Sequence, residues 1–240
     1  MNIEDPRALP SSARWLLGLS VALLLLTLAW DASGLDLPVM LQIGTPEGFA
    51  LRRLPLLEKG LHDGVRKVST VLFIVMIVWA VRRDSGRPGT TTRRERLTVL
   101  ALVTLSLLAV SVTKQFSRSS CPWEWTAFGG HAVYTSHWNL LVSDGGGGSC
   151  FPGGHASGSL AFFALCLPWL WSPVAGRRTA IGWQWFALVV FAGLVSGVTQ
   201  TLRGAHPPSH TLWTGVFCAA IALGGWWLAL PKLRAVRSTT

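Results

Sequence analysis

Three short stretches, far apart in the chain, gather side chains that suit a bound anion. "KQFSR" at 114–118 offers Lys114 and Arg118, one turn apart if the apolar run before them continues as a helix. "FPGGHAS" at 151–157 places Gly153, Gly154 and His155 at the start of another apolar run. "TQTLRGAHPPSH" at 199–210 sets Arg203, His206 and His210 between two more. Paired glycines let backbone N–H groups approach an anion, and a helix start behind them adds the positive end of its dipole. Lys114 and Arg203 can neutralise charge on transferring phosphoryl oxygens, which is most of what phosphoryl transfer requires.

The histidines decide the type of chemistry. Two at i and i+4 on one helix would face the same side and could hold zinc. Pro207, however, pushes His206 out of the helical region, and a Pro-Pro pair fits the first turn of a helix. His206 is therefore expected just before the last apolar run, aimed at an anion, with His210 one turn further on and within hydrogen-bond reach. No outer cysteine or carboxylate sits at ligand spacing beside them, so no metal or other cofactor is expected. The set suits covalent catalysis: a neutral imidazole attacks phosphorus and water later releases it, while a second imidazole, His155, protonates the departing oxygen and then activates that water. Imidazole serves both tasks because its ordinary pKa lies near neutrality.

The elements that must position these groups are membrane helices. Half of the 240 residues are hydrophobic and 13% are charged, the composition of a membrane protein. Six apolar runs stand out, at 15–30, 68–81, 97–113, 156–176, 179–202 and 211–231. A crossing helix takes about 20 residues. The second run is short, but Arg66, Lys67, Arg82 and Arg83 at its ends can snorkel toward headgroups. The first resembles the apolar part of a signal peptide, yet no small-residue cleavage site follows, so a retained helix is expected. The fold class read from this pattern is all-α: a polytopic six-helix transmembrane bundle with its site at the periplasmic face, forming a single membrane-embedded domain over 1–240.

Charge sets the orientation. With the N-terminus inside, the inner segments carry 13 of the 21 basic residues, Arg7, Arg87 and Arg237 among them, against four carboxylates. Lys/Arg excess in short loops marks the cytoplasmic side, so both termini are expected there, in a bacterial inner membrane. The net charge of +10 is then a topology signal with anionic headgroups as counter-charge, and nucleic acid is excluded as a partner for want of any nucleic-acid module. Outer loops fall at about 31–67, 114–155 and 203–210, and all six histidines lie in them.

Cys166 and Cys218 sit inside apolar runs and read as small buried hydrophobes. Cys121 and Cys150 share an outer loop where an oxidising compartment would allow a disulfide, or two free thiols. A disulfide would tie the stretch after Lys114 to the stretch before His155, stabilising the fold by roughly 3–4 kcal/mol in the chain-entropy model. The aromatic residues between the two cysteines suit the headgroup layer, and the four glycines at 145–148 suit a mobile connector. In 49–67, apolar and charged residues alternate at near-helical spacing, which predicts an interfacial amphipathic helix, with His62 and Asp63 given no role.

Taken together these motifs resemble the type 2 phosphatidic acid phosphatase superfamily, six-span membrane lipid phosphatases with the pattern Lys-x6-Arg-Pro, Pro-Ser-Gly-His and Ser-Arg-x5-His-x3-Asp. "KQFSRSSCP" supplies Lys114 and Pro122 in register, with Cys121 where Arg stands in the pattern. "PGGH" has Gly153 in place of Ser. In the third motif His206 matches, Thr199 and Gln200 fall at Ser-Arg, and His210 falls at Asp. The combination looks like a Cys-containing, His-for-Asp bacterial branch. The resemblance implies that His206 forms a phosphoenzyme, His155 acts as acid and base, and Lys114 binds phosphate, with Arg203 and Arg118 replacing the absent arginines. A neutral His210 lends no negative charge to His206, which implies a slower or more acid-shifted enzyme than the Asp form, or one that uses the loop disulfide for positioning. The implied partner is a phosphorylated lipid, with undecaprenyl pyrophosphate, phosphatidylglycerophosphate, phosphatidic acid and lipid A phosphates all open. Transfer of the phosphoryl group to another lipid, and a non-catalytic lipid- or metal-binding role, are the alternatives.

Overall fold

The computed structural model describes residues 9–85, 89–172 and 177–235. Arg7, Arg87 and Arg237 of the charge bias, and 173–176 of the fourth apolar run, lie outside them. The described residues form helices and connecting loops, with two isolated bridges and no strand. In chain order the helices are α1 (Ser11–Ser33), α2 (Asp36–Ile43), a π-helical segment (Leu56–Asp63) running into α3 (Gly64–Val81), α4 (Arg93–Phe116), α5 (Gly154–Leu160), a 3-10 segment (Ala161–Cys166), α6 (Leu167–Leu170), α7 (Thr179–Leu202) and α8 (Pro208–Ala235).

Helix ends follow local chemistry. Thr92 and Glu95 form a reciprocal capping box at the start of α4. α1 stops at Gly34, which takes the left-handed conformation that a glycine adopts without strain. α8 begins at Pro208, whose missing N–H is no loss at a first helical position. Its next N–H, from Ser209, is taken up by the Asp36 carboxylate of α2 at 3.1 Å, an anion on the positive end of the helix.

Among the described residues, five helices are long and apolar enough to cross a membrane: α1, Leu56–Val81, α4, α7 and α8. Their outward faces carry exposed Leu25, Val75, Leu108, Phe191 and Leu228, a surface that suits lipid and not water. The expected fourth crossing is different. Residues Gly154–Leu170 form a shorter apolar helix, buried along most of its length and central to the core. It nevertheless runs the length of the bundle, since His155 at its start lies by Lys114 at the end of α4, while Arg177 beyond its end pairs with Glu95 at the start of α4. The six-residue 3-10 segment in its middle lengthens it: 3-10 rises about 2.0 Å per residue against about 1.5 Å in an α-helix.

Two loop expectations are corrected. Residues 49–67 form no separate interfacial helix. Past Pro55 no helix breaker intervenes before Val81 except two tolerated glycines, so the segment joins the second crossing helix. The glycine-rich stretch at 145–148 is no open connector. Asp144 accepts from the N–H groups of Ser120 and Gly146, and the Ser120 hydroxyl accepts from Gly148. Trp125 and Phe128 pack with Phe49 and Met40 into a second apolar cluster. Cys166 and Cys218 are buried and free.

The Glu95–Arg177 pair, at 2.7 Å with both side chains almost fully buried, fastens the end of the bundle opposite the histidines. Replacing Arg177 by Met strands a buried carboxylate. The thermal midpoint in detergent should fall by the equivalent of about 3–5 kcal/mol, and pairing Arg177→Met with Glu95→Leu should restore most of it.

Candidate active site

The disulfide joins Cys121 and Cys150. Around it, Ser149 donates its N–H to Ser117 and Cys150 to Ser119, so the chain leaving α4 runs beside the chain entering α5. Cys150 also reaches the third motif. Its carbonyl accepts from His210 Nδ1 at 3.1 Å, and its Sγ lies 3.3 Å from His206 Nδ1. A disulfide sulfur carries no proton, so a hydrogen bond here places the proton on Nδ1 and leaves the lone pair on Nε2, as a nucleophile requires. Cys121, Cys150 and His206 gather donor atoms within 4.8 Å, but the disulfide removes both thiolates that would hold a metal.

His206 stands before α8, as Pro207 and Pro208 demand, in the turn where Gly204 takes φ 74°. A side chain at Gly204 would run into the Phe49 ring. The expected contact between His206 and His210 is not a hydrogen bond: the ring centroids are 5.7 Å apart and His210 Nδ1 is turned to the Cys150 carbonyl. Burial, then the neighbouring His210 and Lys114, hold His206 well below the ordinary histidine range, so its imidazole is neutral around pH 7.

Five of the six histidines form a row. Centroid distances are 4.1 Å from His62 to His155, 6.2 Å to His206, 5.7 Å to His210 and 5.7 Å to His137. His131 is exposed and outside it. His62, given no role from sequence, therefore sits against one of the candidate catalytic residues. The available signal was the unbroken helical reading from Pro55 to Val81, which puts Leu61, His62, Val65, Arg66 and Ser69 on one face.

That face lines a cavity of about 450 Å³ with Lys114, Gly154, His155, Thr199 and Gln200 at one end and Phe73, Leu107 and Phe162 along its walls. Lys114 Nζ points across Gly154 and makes no ion pair among the described residues. The other expected cations behave differently. Arg203 donates to the Gln200 side-chain oxygen and the Arg52 carbonyl and lies 3.5 Å from Glu58. It therefore borders the cavity through Gln200. Arg118 is exposed and donates to the Leu141 carbonyl, so the structure does not bring it to the site. The two glycines also divide. Gly153 gives its N–H to the His210 carbonyl at 3.0 Å, which takes it from any anion and makes Gly153 a packing residue against α8, while Gly154 faces the cavity.

A helical bundle with apolar outer faces and a neutral imidazole near an unpaired lysine defines a membrane protein with a site fit for phosphate. The comparison with known families agrees: residues 96–234, more than half of the chain, match the PAP2 superfamily. The chain belongs to this superfamily, whose members are phosphatases acting on phosphate esters. No curated protein and no solved structure matches it.

Two outcomes test this geometry. Cys121→Ser with Cys150→Ser, or reduction of the parent protein, should lower stability by about 3–4 kcal/mol by thermal unfolding, with phosphatase activity falling as the histidines lose their anchor. A histidine whose pKa is lowered on folding costs stability in acid, because below about pH 6.5 the unfolded chain takes up a proton that the folded one refuses, and the cost grows until the folded group titrates. His206→Gln removes that cost, so its thermal midpoint should fall less than the parent's between about pH 7 and pH 5.

Proposed function

We propose that the protein is a phosphatase of phosphorylated lipids, working at the periplasmic face of a bacterial inner membrane through a phosphohistidine on His206. The segment from Gly154 to Leu170 serves as the fourth of six crossings, and both termini lie in the cytoplasm. The orientation rests on the Lys/Arg excess of the loops assigned to the inner side.

The observation that carries the reading is the shape and lining of the cavity. Lys114, His155 and Gln200 cluster at one end, and aromatic and aliphatic walls lead away from them, which matches a molecule with an anionic head and an apolar tail. Lys114 and the Arg203–Gln200 pair bind the phosphoryl oxygens. His206 Nε2 attacks phosphorus, and the bond to the leaving oxygen breaks as His155 protonates it. His155 then accepts a proton from the water that displaces His206. His206 is 2% exposed and lies behind His155, so binding of substrate includes a small turn of the His155 ring. His210 and Cys150 hold the attacking ring in place, while the apolar walls exclude water from the lipid tail.

His206→Ala should lower phosphate release from lipid phosphates, assayed with purified protein in detergent, by about a thousandfold or more. Parent protein quenched during turnover of a phosphorus-labelled lipid should carry an acid-labile, base-stable label that His206→Ala lacks. Undiminished release by the variant would overturn the reading.

A further inference from the structure

The cavity is lined by more basic side chains than the reading above employs. Lys114 and His155 occupy one side. Facing them are His62, from the π-helical segment, and Arg66, from α3, both preceding the residues that carry the family match. The His62 ring packs on His155 at 4.1 Å. Its Nδ1 donates to Asp63 at 2.9 Å, which fixes the orientation of the ring at the cavity lining. Arg66 stands at the exposed rim and makes no ion pair among the described residues.

We propose that His62 and Arg66 form a second anion subsite next to Lys114 and His155, so that the preferred substrate carries two linked phosphates on an apolar alcohol. The proposal rests on the phosphatase reading above and deepens it. A lipid monophosphate leaves as a neutral alcohol once His155 has protonated it, and needs no further cation on that side. A lipid diphosphate leaves as a phosphate monoester, which keeps its charge and gains from cations beside it. The step balances without any added reagent. The His206 Nε2 lone pair forms a bond to the terminal phosphorus as the bond to the bridging oxygen breaks. That electron pair stays on the bridging oxygen, now part of the lipid monophosphate held by His62 and Arg66. Water then forms the new bond to the terminal phosphorus, the bond to His206 breaks, and the water proton passes to His155 and on to solvent. Inorganic phosphate and lipid monophosphate are the products.

The test uses the full chain in detergent with farnesyl diphosphate and farnesyl monophosphate, two substrates that differ by one phosphate. The parent should favour the diphosphate in kcat/KM by about tenfold or more, the effect of one good charge contact. His62→Gln and Arg66→Gln should each lower the diphosphate-to-monophosphate ratio by several fold, and together remove the preference. The ratio is insensitive to the fraction of folded protein, so a variant that folds poorly still reports. Absence of preference in the parent, or a ratio unmoved in both variants, overturns the subsite while monophosphate hydrolysis leaves the phosphatase reading standing. No release of phosphate from either substrate by the parent overturns that reading and the subsite with it.

Discussion

One residue holds the histidine-bearing end of the bundle together. Cys150 is bonded to Cys121 after α4, lies one turn of chain before His155, and touches both His206 and His210. Three segments that are scattered in sequence thus meet at a single buried side chain and its carbonyl. Without the disulfide, the end of α4, the start of α5 and the start of α8 would be held by the backbone hydrogen bonds of Ser149, Cys150 and Gly153 and by helix packing, which leaves the loops more freedom to drift. The disulfide removes this freedom from the unfolded chain and from local openings alike.

The part of the chain before the family match supplies the rest of the frame. Asp36 accepts from the backbone and hydroxyl of Ser209, and from Trp30 Nε1. Asp31 accepts from Trp213 and Trp138 and lies 3.4 Å from His137. Both carboxylates therefore press on the first turns of α8, where His210 sits. From the same part of the chain, Glu58 and the Arg52 carbonyl orient Arg203. Residues 96–234 carry the pattern of the superfamily, but the charges that steer it come in good part from outside that range.

How much of this was legible in the sequence depends on whether the cause was local. Apolar runs and Pro, Gly and Thr–Glu signals are local, and the run at 179–202 coincides with α7 while that at 97–113 lies within α4. The pairing of Cys121 with Cys150, and His206 standing clear of α8, were readable for the same reason: a shared loop and a Pro-Pro pair. What was missed depends on partners distant in the chain. The glycines at 145–148 look free until Asp144 and Ser120 are brought together. Arg118 looks available until it meets the Leu141 carbonyl. Gly153 looks like an anion cradle until α8 presents the His210 carbonyl to its N–H. His62 looks like a surface residue because helical spacing gives its face but not its partner, and the contact with His155 arises only when the helix from Leu56 to Val81 packs against α5.

In the motif pattern that the sequence resembles, His210 stands where a carboxylate is expected. A carboxylate beside a histidine fixes its tautomer and favours its protonated form. Here the two effects are separated. Orientation comes from the Cys150 sulfur and carbonyl, which are neutral acceptors and so fix the rings without adding charge. Negative charge is present, but at Asp36 and Asp31, on the far side of His210 and shielded by hydrogen bonds to Ser209 and the tryptophans. The consequence is a buried His206 with no adjacent anion, held in its neutral form by burial and by nearby Lys114. Such a ring is a weaker base than one paired with Asp but is fully unprotonated at neutral pH. Under the mechanism proposed above, this suits a nucleophile whose attack depends on a free lone pair, and it places the demand for proton transfer on His155.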